Sequence, residues 1–208
     1  MTEQPDLEHA SRVAREVVLL LEAHGMKAAI GGAIAYGLWG TTRGTKDADI
    51  NVFVGEAQYP ALQALLEGAG LTPAPDRRAW TEEDRAGFVA RCREGAVAVA
   101  YRGDVRVDVF VPSIPFHDEA ERTIRRVRHP SGVDVPVLGP EAICVFKLLF
   151  FRPKDLVDLA GLVARQGAAL DVDYVRRQLV DMFPDGDERL EAWDRLVRGH
   201  GPRPAGET

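Results

Sequence analysis

The chain has 208 residues, 46% of them hydrophobic and 28% charged, and a formal net charge of −6. That balance belongs to a folded globular protein of one or two domains; it excludes an intrinsically disordered chain, a collagen-like repeat and a disulfide-stapled miniprotein. The negative balance also excludes a general polyanion-binding surface, so any contact with nucleic acid has to come from a local patch.

The chain opens on Met1-Thr-Glu-Gln-Pro-Asp6, polar and acidic, without the character of a signal peptide. From Leu7 to Glu22, Val13, Val17, Leu20 and Leu21 fall at helical spacing, and His24-Gly25 ends the run. Lys27 to Ile30 reads as a short strand running into the turn Gly31-Gly32, and Ala33 to Trp39 as a short helix. A loop with Thr41, Thr42, Arg43, Gly44 and Thr45 leads to residues 47–54, where Ala48, Ile50, Val52 and Val54 alternate strictly, the period of a strand. Tyr59 to Glu67 reads as a helix; the charged stretch from Thr72 to Arg93 has no assignable pattern. Ala96–Tyr101 and Val105–Val111 flank Arg102-Gly-Asp104 and predict a hairpin, which makes that tripeptide a turn rather than an integrin-type motif. A second hairpin is expected around Pro130-Ser-Gly132, from Ile124–Arg128 to Val133–Leu138. Beyond Gly139-Pro140 the pattern is helical, over 141–151, 153–165, 172–182 and 187–198, with Pro153 in a first turn and Asp171 or Asp173 as an N-cap. The most apolar run, Ala142 to Phe151, is broken by Lys147, and no run approaches the roughly 18 apolar residues of a membrane span. The expected organisation is an α/β core over 1–138, a helical bundle over 139–198 and a loose tail over 199–208, in a soluble cytoplasmic protein with no membrane partner. Cys92 and Cys144 lie far apart without metal-ligand spacing, as in a reduced compartment.

Chemistry concentrates on aspartates in strands, where aspartate is normally scarce. Asp47 and Asp49 stand at i and i+2, so period two points both carboxylates to one face while Ala48, Ile50 and Val52 face the core. Their Cα atoms lie about 6.6 Å apart on the strand rise, close enough for the carboxylates to converge on metal ions about 3.5–4 Å apart. Asp108 points likewise from a strand whose other face is Val105, Val107, Val109 and Val111. Three carboxylates on one face repel unless a cation sits among them, and hard oxygen donors without His or Cys favour Mg²⁺ or Mn²⁺. On patterning alone an alternative stands equally: Asp47 and Asp49 as cap or loop residues and Asp108 as a solvated edge residue. Gly31-Gly32, between a strand and a helix, leaves backbone amides to approach a phosphate; it is neither a P-loop nor a dinucleotide fingerprint, since the Lys-Ser/Thr and GxGxxG patterns are absent.

The run Ile30-Gly-Gly-Ala-Ile-Ala-Tyr-Gly-Leu-Trp-Gly-Thr-Thr-Arg-Gly-Thr-Lys-Asp-Ala-Asp-Ile50, followed by Asp108 on a later strand, resembles the nucleotidyltransferase fold of the DNA polymerase β-like superfamily. Within it, Arg43-x-Thr45-x-Asp47-x-Asp49 is similar to the bacterial branch of AbiEii-type toxins and lincosamide-modifying nucleotidyltransferases. So is Glu141 to Leu159, where a helix carrying Lys147 leads into Arg152-Pro-Lys-Asp-Leu-Val-Asp-Leu159. The likeness spans about Ile30 to Leu159. It departs from the family in Ala48, where a larger aliphatic residue is usual, and in the fourteen residues between Gly32 and Asp47. The resemblance implies an α+β fold, a small mixed-sheet nucleotidyltransferase core followed by a C-terminal helical bundle. It implies that Asp47 and Asp49 bind Mg²⁺, that Asp108 is a third ligand or general base, and that Gly31 and Gly32 hold the triphosphate. Arg43, Thr45, Lys147, Asp155 and Asp158 follow as nucleotide-binding candidates.

Each of these has a plainer reading beside it. Lys147 in an apolar helix either snorkels to the surface or meets a partner or phosphate. Asp155 suits a helix first turn without any function, and Arg43 suits either a phosphate or Asp47. Arg122, Arg125, Arg126 and Arg128, followed by His129, form the densest basic patch; pairing with Asp118, Glu119 and Glu121 is favoured over an RNA backbone. Trp39, Trp80 and Trp193 are core residues by default. The expected activity is Mg²⁺-dependent transfer of a nucleoside monophosphate from an NTP substrate to an acceptor hydroxyl. The acceptor is the 3′ end of tRNA in a toxin-like enzyme, which would have an antitoxin partner, or a small hydroxylated, antibiotic-type molecule; a protein acceptor stays open. The rival of another class is a non-catalytic nucleotide- or partner-binding module on the same fold.

Overall fold

The computed structural model describes residues 4–42 and 44–200. Helix α1 (Gln4–Ala23) turns Ala10, Val13, Ala14, Val17, Val18 and Leu21, all fully buried, toward the sheet strands β1 (Lys27–Ile30) and β2 (Asp47–Phe53). This is the i, i+3, i+4 stripe expected of a helix that covers a sheet. Helix α2 (Gly32–Trp39) follows β1 directly, and α3 (Tyr59–Gly68) follows β2.

The stretch without an assignable pattern contains α4 (Glu82–Arg93). Its start is a capping box: the Asp84 amide donates to Thr81 Oγ1 at 3.2 Å and the Thr81 amide donates to Asp84 Oδ2 at 2.9 Å. Only Phe88 and Cys92 of this helix are buried, Phe88 meeting Trp80 edge-on with ring centroids 5.9 Å apart. Two anchors in twelve residues leave too faint a period to read from sequence.

Strands β3 (Ala98–Arg102) and β4 (Val105–Phe110) pair antiparallel around Gly103-Asp104, so Arg-Gly-Asp is a hairpin turn. A short helix α5 (Phe116–Arg122), which the sequence pattern did not indicate, precedes the second hairpin, β5 (Arg125–Arg128) with β6 (Asp134–Val137). The six strands form one mixed sheet in the order β3-β4-β2-β1-β6-β5, with β2/β4 and β1/β6 parallel. Both edges end in arginine-bearing strands, β5 almost wholly so, which discourages edge-to-edge pairing.

Residues 139–200 are helical: α6 (Pro140–Phe150), α7 (Pro153–Gln166), α8 (Val172–Met182) and α9 (Glu188–His200). Pro140 and Pro153 open their helices, and Asp171 caps α8 by accepting from the Tyr174 amide at 2.8 Å. Their core includes Cys144, Leu148, Leu159, Leu162, Leu179 and Trp193. Residues 199 and 200, expected in the tail, are the last of α9; 201–208 lie outside the described residues. By internal contacts, one compact unit comprises residues 4–34 and 44–138 and the other residues 35–42 and 139–200. The fold class is α+β, a mixed sheet with flanking helices followed by a helical part. Among the described residues no helix is long and apolar enough to cross a membrane.

Candidate active site

In the sheet unit the parallel pairing of β2 with β4 sets Asp49 opposite Asp108 and Asp47 opposite Arg106. Neighbouring strands run about 4.8 Å apart, so the three aspartates share one small area of one sheet face. On the other face Ala48, Ile50, Val52, Val105, Val107 and Val109 are buried. The alternation thus divides β2 and β4 into a dry side and a carboxylate side. Asp47 is exposed, and Asp49 and Asp108 are half-buried.

Arg106 belongs to this face as well. Its Nε donates to Asp108 Oδ1 at 2.6 Å, a charge-assisted hydrogen bond. Burial pushes the Asp108 carboxyl above the ordinary carboxylate value, Arg106 pulls it back, and Asp47 adds to the rise. The bond to Asp108 in turn raises Arg106. A resident guanidinium, Arg106, thus offsets part of the charge of the three carboxylates. Among the described residues no group of three or more His, Cys, Asp or Glu side chains converges as a metal cage.

The glycine pair lies directly over this face. The Gly31 amide donates to the Asp49 carbonyl at 2.8 Å, so it completes the sheet ladder and is not free for a phosphate. That corrects the expectation that both amides are available. A Cβ on Gly31 would stand 2.5 Å from Asn51 Nδ2, and one on Gly32 would stand 1.9 Å from Asp49 Oδ2. Gly32 also has φ +54°, in the left-handed region. Gly32 is therefore demanded by Asp49, whose whole side chain lies beneath it, while a Cβ on Gly31 would meet chiefly the amide end of Asn51. Asn51, 5% exposed, continues the row Asp47-Asp49-Asn51; the period that places the aspartates places it too.

Thr45 is tied to the start of β2: its Oγ1 accepts from the Asp47 amide at 3.2 Å and donates to the Asp47 carbonyl at 3.3 Å. It fixes the backbone from which Asp47 projects. Arg43 lies outside the described residues.

The helical unit holds the remaining candidates. Lys147 is 7% exposed and does not snorkel. Its Nζ donates to Asp158 Oδ2 at 2.6 Å, stands 3.5 Å from Asp155 Oδ1 and 5.1 Å from the centre of the Tyr36 ring. Asp155 also accepts from the Arg152 amide at 3.2 Å and from Arg152 Nε at 2.6 Å. Burial pushes the Asp155 carboxyl up, but Arg152 and Lys147 outweigh it and hold the group below its usual value. Lys147, Asp155 and Asp158 thus satisfy one another as a buried network, which meets the requirement that a buried ammonium find partners.

The basic patch is paired. Arg126 forks onto Glu22 at 2.5 and 2.9 Å, Arg128 meets Asp134 at 3.1 Å and Arg122 bonds Glu119. Glu119 is one of the expected carboxylate partners; Glu22 and Asp134 come from α1 and β6. Trp80 and Trp193 are buried, donating to the carbonyls of Leu71 and Val172, and Trp39 is half-buried.

No family model and no curated protein matches the sequence. Among solved structures, the chain is similar to an antigenic nucleotidyltransferase-like protein from Paracoccidioides brasiliensis, with 16% identity, a TM-score of 0.49, and 89% of this chain and 93% of that one covered. It is also similar to ANT(2")-Ia, solved with adenylyl-2"-tobramycin (16% identity, TM-score 0.45, 92% and 98% covered). A tRNA-processing enzyme is similar over 93% of this chain and 57% of its own (15% identity, TM-score 0.37).

Proposed function

We propose that the protein is a nucleotidyltransferase that moves a nucleoside monophosphate from an NTP to an acceptor hydroxyl. One observation carries the reading: Asp47, Asp49 and Asp108 share a face of two adjacent parallel strands, with Asp49 opposite Asp108 and packed under Gly32. The donor set is all hard oxygen, which fits Mg²⁺ or Mn²⁺, and Asp47, Asp49 and Asp108 are the residues that would hold the ion. Bound there, a divalent cation neutralises the phosphates and the departing pyrophosphate.

In the transfer, the acceptor oxygen attacks the α-phosphorus, the bond to the β-phosphate oxygen breaks and pyrophosphate leaves. The hydroxyl proton passes to a carboxylate of this face, Asp108 by its place on β4. Thr45 and the glycine pair hold the carboxylates in place: Thr45 through the Asp47 backbone, Gly31 through the Asp49 carbonyl and Gly32 by leaving room for the Asp49 side chain. Arg106 balances the charge of Asp108 through its bond to Oδ1. Candidate acceptors are the 3′ end of tRNA, as in a toxin with a cognate antitoxin, a small hydroxylated molecule, and a protein.

The test uses each α-labelled NTP with Mg²⁺ and, separately, total tRNA, an aminoglycoside and lincosamide panel, and protein alone. Wild type is expected to label one acceptor and Asp49→Asn none. Equal labelling by both, or no labelling and no Mg²⁺–NTP binding, would overturn the reading and favour a non-catalytic binding module.

A further inference from the structure

A second feature of the sheet unit stands apart from the carboxylate face. Where the β3–β4 turn meets α1 and the segment after α3, a groove of about 370 Å³ is lined by His9, Arg12, Thr72, Arg77, Arg102 and Asp104. Three guanidiniums line this one hollow.

Their roles differ. Arg102 is pinned, donating to Glu16 Oε2 at 2.5 Å and to the Ala69 carbonyl at 2.9 Å. Arg12 stands 3.5 Å from the same Glu16, so one carboxylate serves two arginines. Arg77 makes no ion pair among the described residues, and it is held at φ 62°, a left-handed backbone that residues with a Cβ adopt only under strain. Its guanidinium lies 3.4 Å from where a Cβ on Gly103 would stand, so the hairpin turn leaves room for it. Asp104, with its side chain 79% exposed, faces His9 at 3.7 Å and offsets only part of this charge.

The groove continues. A smaller hollow lined by His9, Lys46, Asp104 and Val105 shares two residues with it, and Lys46 directly precedes Asp47. Arg12, Arg77 and Arg102 thus line one groove, and Lys46 lines the hollow that adjoins it. Charges repeated along an open track suit a ligand whose negative charges also repeat. The same charges repel a cationic small molecule.

We propose that this groove, beside the β3–β4 turn on the α1 side of the sheet, binds the phosphodiester backbone of an RNA acceptor. The inference rests on the nucleotidyltransferase reading for the RNA being an acceptor, and on the groove alone for binding. It assigns RNA recognition to Arg12 and Arg77 and not to the paired arginines of β5.

The test measures binding of a fluorescein-labelled RNA hairpin with a single-stranded 3′ end to the full chain, without nucleotide, as salt is raised. The variant Arg12→Ala/Arg77→Gly is compared with wild type; glycine suits the left-handed backbone at position 77, and circular dichroism melting confirms the fold. Each lost contact to a single-stranded phosphate lowers the slope of log K against log salt by about 0.7, so the double variant is expected to lose about 1.4. Arg128→Ala is expected to keep the wild-type slope. An unchanged slope in the double variant, an equal loss in Arg128→Ala, or no binding by wild type would overturn the proposal. RNA bound in this way with no label transferred to any acceptor would leave the groove standing and remove the nucleotidyl reading. Label transferred to a small molecule with no RNA bound would do the reverse.

Discussion

Replacing Gly32 by alanine tests whether the Asp49 carboxylate is packed as described. The added Cβ would lie 1.9 Å from Asp49 Oδ2, 2.3 Å from its Cγ and 2.8 Å from its Cβ, so rotating the carboxylate away is not enough; the whole side chain has to move. Overpacking of this kind costs about 1–3 kcal/mol, and the left-handed φ of +54° adds about 1–2 kcal/mol for any residue with a Cβ. The expected loss is therefore about 3 kcal/mol, measured by urea unfolding. In an Asp49→Gly background the three nearest atoms are gone, and Gly32→Ala is expected to cost the backbone share, about 1–2 kcal/mol. The difference, a coupling of about 1–3 kcal/mol, is what a double-mutant cycle reads for residues in direct contact. Equal costs in the two backgrounds would show that Gly32 answers to backbone strain alone and would refute the packing of the site.

Three more predictions follow from named contacts. Lys147→Met leaves Asp155 and Asp158 buried without their ammonium and is expected to cost about 3–5 kcal/mol in urea unfolding, with most of that recovered by adding Asp155→Asn and Asp158→Asn. Glu67, held by Arg85 through bonds of 2.7 and 2.8 Å, has its carboxyl lowered from 4.5 to about 2 by that arginine first and by Gln63 second. The unfolded chain binds the proton first, so this contribution is complete above pH 4.5 and is lost as pH falls toward 2; Glu67→Gln is expected to flatten the urea midpoint over that window. Arg106→Ala removes the guanidinium that competes for Asp108 Oδ1 and is expected to tighten Mn²⁺ binding about tenfold, the worth of one charge-assisted bond, read by electron paramagnetic resonance without nucleotide.

What the sequence made legible, and what it did not, follows from the range of the forces involved. The alternation in β2 and β4 is a local pattern, and it placed Asp47, Asp49 and Asp108 on the polar face before any pairing was known. Asn51 and Arg106 obey the same alternation but read as ordinary polar members of it, because their significance lies in neighbours across strands: Gly31 and Asp108. The Gly31 amide was legible as free only while its partner, the Asp49 carbonyl on another strand, was unknown. Lys147 announced its need for a partner by breaking an apolar run, yet the choice of Asp155 and Asp158 depends on how α7 folds back on α6. Helix α4 was hidden because its stability comes from a capping box and two buried side chains, not from a repeated apolar stripe. The groove at the β3–β4 turn was not legible at all: Arg12, Arg77 and Arg102 are far apart in sequence and meet only through the fold.

The claim on which the account turns is that Asp47, Asp49 and Asp108 form a metal–nucleotide site. Calorimetry of a non-hydrolysable α,β-methylene NTP binding to wild type, Asp49→Asn and Asp108→Asn, with and without Mg²⁺, tests it most directly. The account predicts binding by wild type that requires Mg²⁺ and is lost in both variants while their urea unfolding stays cooperative. Binding of equal strength in wild type and Asp49→Asn, or binding indifferent to Mg²⁺, would contradict it.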